Sequence, residues 1–185
     1  ATGLYVDTVL QRGRHDDDAH SQGGKISGKA DSWLASVEMG QPFALNSAWS
    51  VEPQVQLVQQ HLDLDDAHIG STRVRQDVDQ GWMARLGARL EGDYATGAGR
   101  VQPYGRVNLY RAANGNDVTR FENAAASTAI SSSTGYTSSE LAGGATLKLN
   151  DRTDVYAEIG KQWVAGGDSD VRSAVQGSMG VRVKW

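Results

Sequence analysis

The sequence predicts an all-β fold, an antiparallel transmembrane β-barrel, and three observations lead to this prediction. Segments of roughly ten residues alternate apolar and polar side chains, as strands do when one face meets lipid and the other a lumen. The polar positions of these segments carry many charges, which the dry core of a β-sandwich would not accept. The links between the segments alternate between long and short.

Composition is compatible with this prediction but does not suggest it. The chain has 185 residues, 39% of them apolar, and a formal charge of −4, values typical of a single soluble domain. Barrels have such compositions because every second strand residue faces a wet interior. The sequence contains no run of about 18 apolar residues, which excludes transmembrane helices. The acidic chain also has no basic stripe for nucleic acid, and no Ser-His-Asp arrangement, P-loop or Rossmann fingerprint.

Eight strands are predicted from the period-two pattern. In chain order they run from Gly3 to Arg14, Ser27 to Gly40, Trp49 to Leu62, Asp79 to Glu91, Arg100 to Ala112, Thr137 to Asn150, Thr153 to Val164, and Arg172 to Trp185. Their apolar faces include Trp82, Ala84, Leu86, Ala88 and Leu90 in the fourth strand, Leu141, Ala145, Leu147 and Leu149 in the sixth, Val155, Ala157 and Ile159 in the seventh, and Val175, Met179, Val181, Val183 and Trp185 in the last.

The opposite faces are charged, and we predict that they line the lumen of the barrel. The alternative is that these charged residues only pair with one another across the barrel wall, which would stiffen the barrel without serving transport. The predicted lumen-lining residues are Glu38, Glu52, Arg85, Arg89, Arg106, Glu140, Lys148, Glu158 and Arg182, with Lys184 beside them.

Link lengths predict the orientation. Outer-membrane barrels have long extracellular loops and short periplasmic turns. If Trp185 is periplasmic, every long link falls outside the cell and every short one inside. The links run over residues 14–26, 41–48, 63–78, 92–99, 113–136, 151–152 and 165–171.

Tryptophans stand close to the predicted strand ends. Trp49 and Trp185 lie at periplasmic ends, and Trp82 and Trp163 lie at extracellular ends, so the four predict the aromatic girdles that meet lipid headgroups. Ordinary core aromatics are the alternative. Trp33 lies nearer mid-strand and supports neither interpretation.

Two prolines fall within predicted strands. Pro53 and Pro103 each remove a backbone donor from the ladder. We therefore predict local bulges at both positions.

Four stretches resemble the translocator domain of classical autotransporters, the type V secretion proteins of Gram-negative bacteria. They are Gly3-Leu4-Tyr5-Val6-Asp7, Trp49-Ser50-Val51-Glu52-Pro53-Gln54-Val55-Gln56-Leu57, Gln102-Pro103-Tyr104-Gly105-Arg106-Val107-Asn108 and Val181-Arg182-Val183-Lys184-Trp185. The resemblance covers essentially the whole chain, residues 1–185. It implies a twelve-stranded barrel crossed by an α-helix, whereas this chain supplies about eight strands and no helix. We expect Gly3 to lie near the fifth strand, with the first strands and the helix upstream.

The resemblance also implies the function and the partners. The implied function is that of an outer-membrane anchor that helps export its own N-terminal passenger. The barrel would lie in the lipid of the bacterial outer membrane, with its C-terminus in the periplasm. The barrel-assembly machinery would recognise the last strand through Met179, Val181, Val183 and Trp185. The chain is expected to be monomeric, without cofactor, and not an enzyme. The alternatives are a complete eight-stranded barrel with a structural or adhesive role, and a hydrolase with its site at the rim.

Two outer loops carry further features. The Ala/Ser/Thr-rich stretch from Ala124 to Thr134 has few bulky side chains and is expected to be mobile, with gating or passenger folding as the alternative. Acidic and histidine residues could bind a divalent cation or form an acid/base pair, but without defined ligand spacing we assign no metal and no catalytic residue. They are His15, Asp16, Asp17, Asp18, His20, Asp63, Asp65, Asp66 and His68.

Overall fold

The computed structural model describes residues 3–21, 24–78, 80–113, 115–167 and 174–185, with the backbone alone at 17–21 and 24–27. Fourteen strands, β1 to β14, are found in these ranges. No helix in the described ranges is long and apolar enough to cross a membrane.

Eight long strands form the main sheet, and all eight predicted strands are confirmed. Each strand pairs antiparallel with the next one in the order β1-β2-β4-β7-β9-β12-β13-β14. The predicted starting points Asp79 and Arg172 lie outside the described residues. The strands are β1 (Tyr5–Ser21), β2 (Gly24–Gly40), β4 (Trp49–Leu64), β7 (Gly81–Gly92), β9 (Gly99–Ala112), β12 (Tyr136–Lys148), β13 (Thr153–Gly167) and β14 (Ala174–Val183).

The two ends of the sheet differ in the links between strands: the long links lie at one end, the long-link end, and the short links lie at the other, the short-link end. At the short-link end, β3 (Phe43–Ala44) pairs with β4, and β8 (Tyr94–Thr96) pairs with β9. At the long-link end, much of the predicted loop sequence is strand. There β1 and β2 extend to Ser21 and Gly24, and a second sheet has the order β11-β10-β6-β5. Its strands are β5 (Ala67–Ile69), β6 (Thr72–Asp77), β10 (Gly115–Glu122) and β11 (Ser127–Thr134).

The sequence predicts a loop for the segment from Ala124 to Thr134, and the structure has a strand over most of its length. Residues Ser127–Thr134 pair with β10 along their whole length, from Ser127 opposite Glu122 to Thr134 opposite Gly115. The β-branched threonines suit a strand. A backbone ladder needs no bulky side chains, so the small residues do not prevent pairing.

The predicted bulges at Pro53 and Pro103 are also wrong. Pro53 pairs in register with Ala88, and Pro103 pairs in register with Ala145. The β2–β4 pairing stops at Gln54, and Pro53 directs its carbonyl toward Gln41, which donates to it at 3.3 Å. Pro103 lies between the end of the β7 pairing at Tyr104 and the start of the β8 pairing at Val101. Because the strand pairing on one side of each proline already ends next to it, the missing N–H group removes no hydrogen bond from that pairing.

The polarity of the main sheet is inverted relative to a soluble protein. Leu86 and Ile159 on the apolar face are 63% and 67% exposed, while Ser138, Asn108 and Glu140 on the polar face are 0%, 6% and 6% exposed. Buried apolar residues among the described ones are Val74 and Ala142. The sheet therefore shelters its polar face and presents its apolar face outward.

Candidate functional site

A polar network covers the sheltered face, and its first part spans β1, β2, β4 and β7. The Tyr5 hydroxyl donates to Glu38 (2.9 Å) and lies 3.0 Å from Glu52. Arg85 donates to Glu38 (2.8 Å) and to the side-chain oxygens of Gln54 (3.1 Å) and Gln56 (3.0 Å). Arg85 thus connects carboxylate and amide groups from two neighbouring strands.

The second part of the network spans β9, β12, β13 and β14. Glu140 accepts hydrogen bonds from Tyr110 (2.6 Å), Asn108 (2.9 Å), Arg106 (3.1 Å) and Gln176 (3.2 Å). Glu158 accepts from Arg106 (2.8 Å) and from Tyr104 (2.5 Å). One carboxylate, that of Glu140 on β12, therefore receives donors from the neighbouring strand β9 and from β14, which lies two strands away on the other side.

Arg85 joins the two parts through its bond to the Asn108 side-chain oxygen at 3.0 Å. The network therefore runs from β1 to β14. Arg89 lies against it, with its guanidinium carbon 4.6 Å from the Tyr104 ring centroid and an ion pair of 3.3 Å to Glu91.

The structure brings seven of the nine predicted lumen-lining residues into or against this network. They are Glu38, Glu52, Arg85, Arg89, Arg106, Glu140 and Glu158. Lys148 and Arg182 lie elsewhere on the same face, at the short-link end, where both pair in register with Asp154.

The uncharged members of the network escaped the sequence reasoning. Tyr104 and Tyr110 stand at alternate positions of one strand, and Gln54 and Gln56 do so on another. A search for polar rather than charged alternation would have found them. Tyr5 and Tyr104 also lie across their directly paired glycines, Gly40 and Gly144, where a Cβ atom would meet each tyrosine hydroxyl oxygen at 2.6 and 2.9 Å.

The predicted tryptophan levels can be compared through the strand register. A line of directly paired residues leads from Trp163 to Met39, and Trp33 lies six residues from Met39 toward the long-link end. Both ends of this line face outward. The intermediate positions are Ser139, Leu109, Leu86 and Val55.

Trp49 and Trp185 show the same displacement at the short-link end. A second line of directly paired residues joins Val51 to Gly177. Trp49 lies two residues from Val51 toward the short-link end, and the residue at the same distance from Gly177 is Met179. Trp185 lies six residues beyond Met179. Each displacement accumulates over five strand-to-strand steps in the same sense. With a rise of about 3.3 Å per residue and strands about 4.8 Å apart, it corresponds to a strand tilt of about 40°.

The acidic outer loops are partly neutralised by arginines. Asp66 accepts from Arg73 Nε at 2.7 Å and lies 3.5 Å from Arg75. The hydrogen bond from Arg73, with its positive charge, lowers the pKa of the Asp66 carboxyl below its ordinary value. In the described part of the chain, no three histidine or acidic side chains come together as metal ligands. The side chains of Asp17, Asp18 and His20 lie outside that part.

A sheet with a sheltered polar face and an outward apolar face defines the class of β-barrel membrane proteins. The model of the autotransporter β-domain family matches residues 1–160, and the chain belongs to this family. It is therefore an outer-membrane barrel domain of the translocator type.

A comparison of sequences and a comparison of structures both find similarity to the BrkA autotransporter. The BrkA autotransporter of Bordetella pertussis is 32% identical over 112 residues, which cover 57% of this chain and 11% of that protein. The crystal structure of the β-domain of Bordetella BrkA has a TM-score of 0.67 and 24% identity, covering 100% of this chain and 68% of that one. The structural comparison shows that this chain has the same fold as the corresponding part of the BrkA β-domain.

Proposed function

We propose that this chain is part of a barrel that anchors its protein in the outer membrane and helps export an N-terminal passenger to the cell surface. The observation that carries the proposal is the polar network, which covers the sheltered face of an open sheet. Family membership supports the same role. Neither observation points to hydrolysis, and we propose a non-enzymatic domain.

The network has capacity for a polypeptide that crosses the lumen. The side chains of Arg89 and Arg106 are 39% and 32% exposed, and Nε of each has no hydrogen-bond partner among the described residues. Their guanidinium groups are therefore partly open to the sheltered side, where carbonyl groups of a traversing segment would accept from them. The alternative of mutual stiffening explains the contacts of Arg85 and Glu140, whose side chains are only 11% and 5% exposed.

The open sheet favours a larger barrel over a complete eight-stranded one. Within the described residues, β1 and β14 are the two edges of the pairing order. An open edge in lipid leaves backbone groups unpaired, which costs several kcal/mol per group. Further strands of the same protein would pair with both edges.

The outward tryptophans support a membrane position. Their common displacement agrees with the tilt of about 35–45° found in membrane barrels, so each set would lie at one level of the bilayer. Trp33 then joins Trp82 and Trp163 at the long-link end, while Trp49 and Trp185 form the other girdle. Because outer-membrane barrels have long outer loops, the short-link end with Trp185 would be periplasmic.

The outward face of β14 suits recognition during assembly. Met179, Val181, Val183 and Trp185 are all exposed along one side of this edge strand. We propose that the barrel-assembly machinery binds them before the barrel closes and that the finished barrel is a monomer in outer-membrane lipid.

The test is to express the full-length protein in Gram-negative cells with an epitope tag upstream of the barrel. We expect antibody to label the tag on intact cells, and a version that lacks β14 to give no labelling. Heat-dependent gel migration reports separately whether the barrel has folded. A folded barrel whose tag remains inaccessible in intact cells would refute export and leave only an anchoring role.

A further inference from the structure

Among the side chains that the structure describes, the outward strand positions carry positive charges at one end of the sheet only. Arg12, Arg14, Arg111 and Lys161 all occupy outward positions near the level of Trp33, Trp82 and Trp163, and we call these four residues the basic belt. The assignment follows from the register, since Arg12 pairs directly with Trp33, and Ala113, two residues beyond Arg111, donates its backbone N–H to the Trp82 carbonyl at 2.8 Å. Lys161 lies two residues from Trp163, with its ammonium group 5.3 Å from that ring's centroid.

The other end of the outward face is apolar. At the level of Trp49 and Trp185 the outward strand positions hold Val51, Leu90, Val101, Leu147, Val155 and Val183. The charged end and the apolar end therefore meet different surroundings, although both have tryptophans at the headgroup level.

The carboxylates near the basic belt lie level with Arg14 and farther from the apolar band than Arg12 and Lys161. Asp31 is two residues beyond Trp33 and lies 3.5 Å from Arg12 and 3.4 Å from Arg14. Asp63 pairs in register with Asp31 at the same outer level. Arg12 and Lys161, by contrast, stand next to the tryptophans, where long side chains bury their stems and direct the charge toward the headgroups.

We propose that the basic belt binds phosphate-bearing lipid headgroups of the leaflet that surrounds the long-link end. Cations at this depth meet lipid phosphates, and Lys and Arg near an anionic surface add to membrane affinity. Arginine matches a phosphate with two parallel donors. This inference rests on the proposed membrane role, and it adds a preference for one lipid charge at one end of the barrel.

The test uses the full-length protein in phosphatidylcholine vesicles with a trace of spin-labelled lipid. The motionally restricted fraction of the label measures lipid in contact with the protein, for labelled phosphatidylglycerol or labelled phosphatidylcholine. We expect the wild type to favour phosphatidylglycerol on the order of threefold to fivefold. Arg12→Gln with Lys161→Gln, which removes the two belt residues next to the tryptophans, should lower the ratio toward one.

The matched control is Arg152→Gln with Lys184→Gln, which removes the same charge at the short-link end. It should keep the wild-type ratio. A ratio of one in the wild type, or any pattern other than a selective loss in the first double variant, would overturn the basic belt. The absence of any restricted signal with either lipid would instead refute the membrane role.

Discussion

Glu140 shows at the scale of one residue how the sheet tolerates a buried charge. Its side chain is nearly inaccessible and accepts hydrogen bonds from residues of β9 and β14. The charge could be predicted from alternation along β12. Its partners could not, since they come from chain segments about 30 residues distant on either side.

We predict that Glu140→Ala destabilises the barrel by about 2–3 kcal/mol, because it leaves several buried donors without an acceptor. Urea unfolding of the barrel in lipid vesicles measures this change. The control is Glu122→Ala, which removes a more exposed carboxylate 3.9 Å from Arg120, and we expect about 0.5 kcal/mol or less for it. Equal losses in the two variants would contradict the importance of the network.

Asp66 gives a prediction in pH. The hydrogen bond from Arg73 lowers its pKa in the folded state, so the pairing contributes stability above the ordinary aspartate pKa. That contribution is lost as the pH falls through the lowered folded-state value. NMR titration of the Asp66 carboxyl should therefore give a pKa below the ordinary value, and Arg73→Gln should raise it. An unchanged titration in the variant would show that Arg73 is not the cause.

Strand extension distinguishes the two ends of the molecule at the scale of elements. The long links were predictable as connections because they lie between the segments that alternate apolar and polar residues. Their pairing was not, because β10 bonds to β6 across 41 to 49 residues of sequence, from Val118 opposite Asp77 to Glu122 opposite Arg73. The error at Ser127–Thr134 has the same origin, since its small residues become a strand only through the neighbouring β10.

We predict that amide exchange separates the strands of the second sheet. β11 is an edge strand, so only one of its sides is paired, whereas β10 is paired on both sides with β11 and β6. Hydrogen–deuterium exchange should therefore give slower exchange in β10 than in β11. Equal, rapid exchange in both strands would contradict the second sheet.

The inverted polarity is the main property of the whole molecule. A charge placed on the outward face near mid-sheet would have to enter lipid. We predict that Leu86→Arg destabilises the folded barrel in vesicles by about 2–4 kcal/mol. Denaturant titration in vesicles measures the loss. Ser178→Arg adds the same side chain to the polar face of β14 and should cost much less, whereas similar losses would place both faces in water.

The sequence by itself determined the eight main strands, the face on which each side chain lies and the ends at which the long links fall. These properties follow from the two-residue period of a strand, which is local. The tertiary structure alone decided the cross-strand register, and with it the partners of Glu140, the pairing of the outer loops and the alignment of Trp33 with Trp163. Register depends on contacts between residues far apart in sequence, and a period of two leaves it undetermined.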